Sequence, residues 1–238
     1  MQQFGKLYLI PTTLGEGKPL DVLPISVKNA VENLEYYIVE NEKTARKFIK
    51  SIVAEKVQSD LKLSTLNKRT EITELDTMLE PLSRGISVGL MSEAGCPGVA
   101  DPGAAIVKIA HEKGYRVIPM VGPSSILLAM MASGMNGQSF AFNGYLPIEK
   151  GEKKAAIKAF EKLSNDKDQS QLFIETPYRN NKFIEDLLQT LQPNTLLCIA
   201  ADITLETEYI KTFRVAEWKK IKVDLHNRPA IYIIHKTT

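Results

Sequence analysis

"SEAGCPGVADPGA" occupies residues 92–104, between the apolar run "ISVGL" (86–90) and a helical pattern, "AIVKIAHEKG" (105–114). Three glycines (Gly95, Gly98, Gly103) and two prolines (Pro97, Pro102) crowd into that junction. Asp101 suits the N-cap of the following helix and Pro102 its first helical position. A strand, a loop and a helix in this order form a βα unit, and open α/β sheets bind ligands beyond the carboxyl ends of their strands. Residues without a Cβ let a ligand approach the main chain, so "AGCPGV" is either such a site or simply a tight reversal.

Outward from this loop the same rhythm repeats. Strand patterns at 6–10, 35–40, 86–90 and 115–121 alternate with helical ones at 20–34, 42–53, 72–85 and from 104. Pro24 is a candidate for the true start of the first helix and Gly85 for the C-cap of the third. Residues 54–69 read partly as loop. "VGPSS" (121–125) again follows a strand and opens a helix, so Ser124 or Ser125 either caps that helix or holds the polar end of a ligand. "SILLAMMAS" (125–133) is apolar on every side and reads as a buried helix. "FNGYLPIEKGEKK" (142–154) interrupts the rhythm and marks a domain boundary. Beyond it come a helix at 152–163, a strand at 170–175, a helix at 179–191, and strands at 195–201 and 229–236. The segment 203–218 is strand-like with an uncertain turn. The expectation is two α/β domains, 1–142 and 143–238.

Composition bounds the function only loosely. The 238 residues are 44% hydrophobic and 24% charged, as in ordinary globular proteins, and a net charge of +2 argues neither for nor against nucleic acid. Cys96 and Cys198 form no CxxC pair, and His111, His226 and His235 lack metal-ligand spacing, so no metal site is expected. The N-terminus has no signal-peptide core and no stretch approaches the roughly 18 apolar residues of a membrane span, which makes the cytoplasm the default location. "PTTLGEGKPL" (11–20) carries a GxG at Gly15 and Gly17. Leu20 stands where a dinucleotide fingerprint needs its third glycine, and Pro19 breaks the helix start.

Several segments, in chain order, resemble the tetrapyrrole (corrin and porphyrin) methylase family in its ribosomal RNA branch. "YIVENEKTARKFI" (37–49) is similar to "IAAEDTRxTRKLL", and "MSEAGCPGVADPG" (91–103) to "SDAGTPxxSDPG". "VGPSSILLAMMASGM" (121–135) resembles "PGPSAxxAALxxSGL", "SFAFNGYLP" (139–147) resembles "xFxFxGFLP", and "FIETPYR" (173–179) resembles "FYESPHR". The resemblance implies two α/β domains of the tetrapyrrole methylase type with S-adenosylmethionine in the interdomain cleft. It implies cofactor contacts from Pro11, Ala94, Gly95, Cys96, Val99, Ser124, Ser125, Thr176, Ala201 and Pro229. The branch methylates a ribose 2′-hydroxyl of small-subunit ribosomal RNA and is commonly a homodimer, so ribosomal RNA or the small ribosomal subunit is the implied partner. Other members methylate tetrapyrroles or a protein, which is the alternative, and a non-catalytic cofactor-binding relative is a third reading. Departures are visible: "IPTTLGEGKPLDVLP" (10–24) lacks the asparagine of "ATPxGNLxDIT", and "ADITLETEY" (201–209) lacks the arginine and lysine of "RELTKxxEE". Glu93 and Asn41 stand where the branch has aspartates.

Methyl transfer from a sulfonium is an in-line displacement that requires donor and acceptor aligned about 3 Å apart. A ribose hydroxyl benefits from a base. Glu93 is the first candidate and Glu40 the second; the alternative for both is a loop-bracing or capping carboxylate. Lys150, Lys153, Lys154, Lys158 and Lys162, with Lys43, Arg46 and Lys47, are available to phosphates, or else form a solvated face. Arg179 is the candidate to grip a macrocycle carboxylate.

Overall fold

The computed structural model describes residues 4–67 and 70–236, except for the side chain of Ile72. Met1–Gln3, Lys68 and Arg69, the last two inside the stretch expected to be partly loop, lie outside the described residues, as do Thr237 and Thr238.

Five short strands form the first sheet: β1 (Lys6–Ile10), β2 (Tyr36–Val39), β3 (Lys62–Thr65), β4 (Val88–Met91) and β5 (Arg116–Pro119). All pair in parallel, in the order β3-β2-β4-β1-β5. Alternate residues along a strand point to opposite faces, and both faces here are apolar. Ile10, Tyr37, Val39 and Met91 pack on α1 (Ile25–Asn33) and α2 (Glu42–Ile52). Leu7, Ile38, Val88 and Leu90 pack on α3 (Ile72–Met78), α4 (Glu80–Ser83) and α5 (Gly103–Glu112). Right-handed crossovers dictate this division. Steps from β1 to β2 and β3 run one way along the sheet, and steps from β3 to β4 and past β1 to β5 run the other. The neighbours β1 and β4 therefore send their chains to opposite faces, which opens the sheet's switch point at their carboxyl ends.

Gly89, in the middle of β4, makes room for this packing. A Cβ there would come within 2.7 Å of Ile10 Cδ1 and 2.8 Å of Tyr37 Cδ1. The buried Tyr37 ring fills that space, and its hydroxyl donates to the Val31 carbonyl at 3.0 Å.

The second sheet comprises β6 (Phe140–Tyr145), β7 (Ser170–Ile174), β8 (Leu196–Ala201), β9 (Tyr209–Arg214) and β10 (Ala230–His235), in the order β6-β7-β10-β8-β9. Only β6 and β7 pair in parallel; the remaining pairs are antiparallel. Its elements include α6 (Ser125–Ser133), α7 (Lys150–Lys167), α8 (Asn180–Thr190) and α9 (Val215–Trp218). Phe173, Tyr232 and Ile199 meet Ile157, Phe183 and Trp218 in one core. Trp218 Nε1 donates to the Leu197 carbonyl at 2.7 Å, so the indole is buried without an orphaned donor.

Several expectations need correction. The chain forms two compact units, Met1–Ser124 and Ser125–Thr238, and α6 belongs to the second. The reason is packing: α6 lies on β8, β9 and β10, and Thr212 Oγ1 donates to the Ser133 carbonyl at 2.8 Å. Nor is α6 buried all round, since Leu127 is 53% and Met131 78% exposed. The segment 142–145, read as an interruption, belongs to β6, and β3 lies inside the stretch read partly as loop. Pro81 splits the expected third helix into α3 and α4, because it occupies the first turn of the second piece. Gly85 ends that piece at φ +80°, as its C-cap reading requires.

Gly89→Ala should destabilise the protein by about 1–3 kcal/mol through overpacking. Urea unfolding would show a lower midpoint at unchanged slope; an unchanged midpoint would mean that the Tyr37 ring shifts without cost.

Candidate functional site

At the switch point the loops after β1 and β4 are tied together by main-chain groups. Thr12 N–H donates to the Gly95 carbonyl at 2.9 Å, Thr12 Oγ1 to the Ser92 carbonyl at 3.3 Å, and Ser92 Oγ to the Gly95 carbonyl at 3.1 Å. Gly95 sits at φ +75°, and a Cβ there would lie 3.2 Å from Leu14 Cδ2 and 3.4 Å from the Pro123 carbonyl oxygen. The Cys96 thiol points at the same Pro123 carbonyl, 3.5 Å away, and burial pushes its pKa up, so it stays a neutral donor. Asp101 Oδ1 accepts from Gly98 N–H at 2.8 Å and Gly103 N–H at 2.7 Å. Its capping role is thus as expected, although α5 begins at Gly103, one residue later than Pro102. Burial pushes the Asp101 carboxyl up, and the two N–H groups pull it down.

Pro11 is buried at the end of β1, whereas Ala94 and Val99 are exposed. Ser124 closes the loop after β5, and Ser125 is the first residue of α6. Pro11, Ala94, Gly95, Cys96, Val99 and Ser124 therefore all follow the carboxyl ends of three adjacent strands, β4, β1 and β5.

The two candidate bases also meet. Glu93, after β4, donates its N–H to Glu40 Oε1, after β2, at 3.2 Å. Thr44 Oγ1 donates to Glu93 Oε1 at 2.6 Å. Thr44 is in the first turn of α2, whose free N–H groups at Lys43 and Thr44 are capped by Asn41 Oδ1. Beside these groups opens a cleft of ≈ 400 Å³ between the loop after β1, α2 and the end of β4. Phe48, Leu14 and Met91 give it apolar walls. Lys47 of α2 donates to Glu16 Oε1 of the facing loop at 2.6 Å, and this bond holds the Glu16 carboxyl below its ordinary pKa.

In the second unit Thr176 follows β7, Ala201 ends β8 and Pro229 precedes β10. Antiparallel pairing of Ile174 with Ile231 and of Ala201 with Ala230 gathers the three at one end of the sheet. Arg179 is not a free grip for a macrocycle: its Nε and Nη2 donate to the buried Glu175 Oε1 at 2.9 and 2.6 Å. Asp202 accepts from Arg228 Nε at 2.7 Å, so a guanidinium from elsewhere in the chain serves the motif "ADITLETEY", which has none of its own. Asp202, Thr204 and Asn227 hold φ of +50°, +73° and +59°, a concentration of left-handed non-glycine backbone typical of functional sites.

The lysine set is smaller than expected. Lys153 is buried against Asp186 at 3.1 Å, Lys162 is paired with Asp166, and Arg46 bonds the Gln58 carbonyl at 2.5 Å. Lys150, Lys154 and Lys158 remain exposed along α7. Sequence reasoning missed Thr12, Thr44, Glu16 and Arg228; an N-capped helix start two residues before Thr44 was the one signal pointing at any of them.

No protein-family model matches the chain. Among curated proteins it is 27% identical, over 98% of its length and 79% of the relative's, to ribosomal RNA small subunit methyltransferase I of Buchnera aphidicola subsp. Schizaphis graminum. Over 90% of its length it is 27% identical to 70% of the protein of that name from Escherichia coli O157:H7, and 29% identical to 69% of the one from Neisseria meningitidis serogroup B. The chain is a homologue of these methyltransferases. Solved structures agree on the fold. Diphthine synthase superposes with a TM-score of 0.66 at 17% identity, covering 98% of this chain and 91% of that one. The methyltransferase CobJ gives 0.65 at 17%, covering 98% and 94%. The expected two-sheet α/β fold of the tetrapyrrole methylase type and the expected methyltransferase activity are both borne out.

Gly95→Val combines a strained φ with a side chain in the space between Leu14 and Pro123. It should weaken S-adenosylhomocysteine binding by tenfold or more in a calorimetric titration while thermal unfolding stays cooperative. Unchanged affinity would remove this loop from the donor site.

Proposed function

We propose that the protein transfers a methyl group from S-adenosylmethionine to a ribose 2′-hydroxyl of small-subunit ribosomal RNA. The observation that carries this reading is the match to relatives named for that RNA over 90–98% of the chain. Two features support the donor in this reading: the 94–99 loop, whose Gly95 puts no side chain between Leu14 and Pro123, and the serine after the next strand. When bound, S-adenosylmethionine supplies an electrophilic methyl on a sulfonium.

The remaining work falls to this chain's own side chains. Thr44 holds Glu93 Oε1, which leaves Oε2 to take the proton of the attacking hydroxyl. Glu40 fixes the Glu93 main chain from the end of the neighbouring strand β2. The Phe48, Leu14 and Met91 walls limit water around the acceptor. In this reading the chain acts as a homodimer, a second copy covering the exposed Met131 of α6. Among the described residues no helix is long and apolar enough to cross a membrane, in keeping with a cytoplasmic ribosomal substrate.

The test is transfer of labelled methyl to small ribosomal subunits, or to their RNA, from cells lacking this protein. Label is expected at a ribose. Glu93→Gln should lower kcat by about 10²–10⁴-fold with donor binding retained. Label appearing only in a tetrapyrrole or protein fraction would move the acceptor to that class. Donor binding without any label would make the protein a non-catalytic relative.

A further inference from the structure

Among the described residues lining the cleft beside Glu93, Lys47 is the only cation, and the carboxylates there are Glu16 and Glu93. Lys47 lies one helical turn beyond Thr44, which holds Glu93. Residues three apart on a helix have Cβ atoms about 5–6 Å apart, a span comparable with that between a ribose hydroxyl and its flanking phosphates. A cation so placed is suited to receive a backbone phosphate next to the reacting ribose.

That position is already taken. Glu16, on the facing loop, lies 2.6 Å from the ammonium. The side chains of Lys47 and Glu16 are 75% and 91% exposed, so water screens the pair. Exposed pairs of this kind contribute little, whereas each phosphate contact with nucleic acid also releases counterions. A phosphate therefore outcompetes a lone carboxylate for the same ammonium. Resting on the RNA reading above, we propose that Lys47 is a phosphate-binding residue of the acceptor site and that Glu16 is the resident anion which the phosphate displaces. Glu16 then has two effects on a polyanion: it occupies the cation, and it repels.

The two members of one ion pair should consequently change RNA binding in opposite directions. The experiment is a double-mutant cycle on the full chain, with an RNA fragment of the small subunit as probe at several salt concentrations. Thermal unfolding and S-adenosylhomocysteine affinity confirm that each variant is folded. Lys47→Gln should weaken binding by about three- to tenfold and flatten the salt slope by about 0.7–0.9. Glu16→Gln should strengthen binding by about two- to fivefold. In the Lys47→Gln background the Glu16→Gln gain should shrink to the part that comes from repulsion, because no ammonium is left to release. An equal gain in both backgrounds would mean general repulsion and would overturn the displacement. Weakening by both single variants would mean a clasp that merely shapes the loop, and would overturn it too. If these outcomes appear while the wild-type protein methylates RNA, only this inference falls. If the wild-type protein neither binds nor methylates the RNA, the acceptor reading falls and carries this inference with it.

Discussion

The crossing of two chain paths at β1 and β4 is the constraint on which the rest depends. These strands are hydrogen-bonded neighbours, yet the helices that follow them pack on opposite faces of the sheet. Their loops must therefore diverge, and no helix caps the gap between them. A sheet whose strands all advanced in one direction would cover that edge with a continuous helix layer. The two-sided core makes the crossing affordable: alternate side chains of β1, β2 and β4 serve α1 and α2 on one side and α3 to α5 on the other. Gly89 belongs to the same arrangement, because the close approach of Tyr37 and Ile10 at the sheet centre needs a position without a side chain.

A divergent crevice is useful only if its walls are firm. Here the walls are stiffened mostly by main-chain bonds and short side chains. Thr12 and Ser92 bind the Gly95 carbonyl, and Asp101 ties the Gly98 turn to the first turn of α5. Such bracing uses few bulky groups. The left-handed conformations at Gly95, Gly98 and Ala100 are the local cost, two of them placed on glycine, where that cost is small.

Much of this was legible in the chain. The alternation of strands and helices gave the first sheet, and the crowding of glycines and prolines at 92–104 marked the loop after β4, because both signals are local. The misreadings have particular causes. The strand β3, "KLST", has intermediate or exposed residues throughout, so it lacks the apolar run that marks a central strand. The strand β6 carries Asn143 and a left-handed Gly144, which look like a turn. Helix α6 is apolar all round, but burial depends on what the tertiary structure places beside it. The pairs that define the candidate site join residues far apart in sequence: Glu16 with Lys47, Thr44 with Glu93, Arg228 with Asp202. No periodicity reports such partners, and the last of them shows how a residue absent from a motif can be supplied from another segment.

The electrostatics of the cleft follow from the same long-range pairing. With 30 basic and 28 acidic residues, the chain has no excess charge to draw a polyanion from solution. Recognition of an RNA by such a protein has to come from where single charges stand. Within the cleft two carboxylates face one ammonium, a balance that repels a phosphate chain until it reaches the position where Lys47 can be freed from Glu16. An acceptor without an anionic group at that distance gains nothing from Lys47 and still meets the carboxylates. In the proposed acceptor site the pair would thus turn a weak surface interaction into discrimination between acceptors.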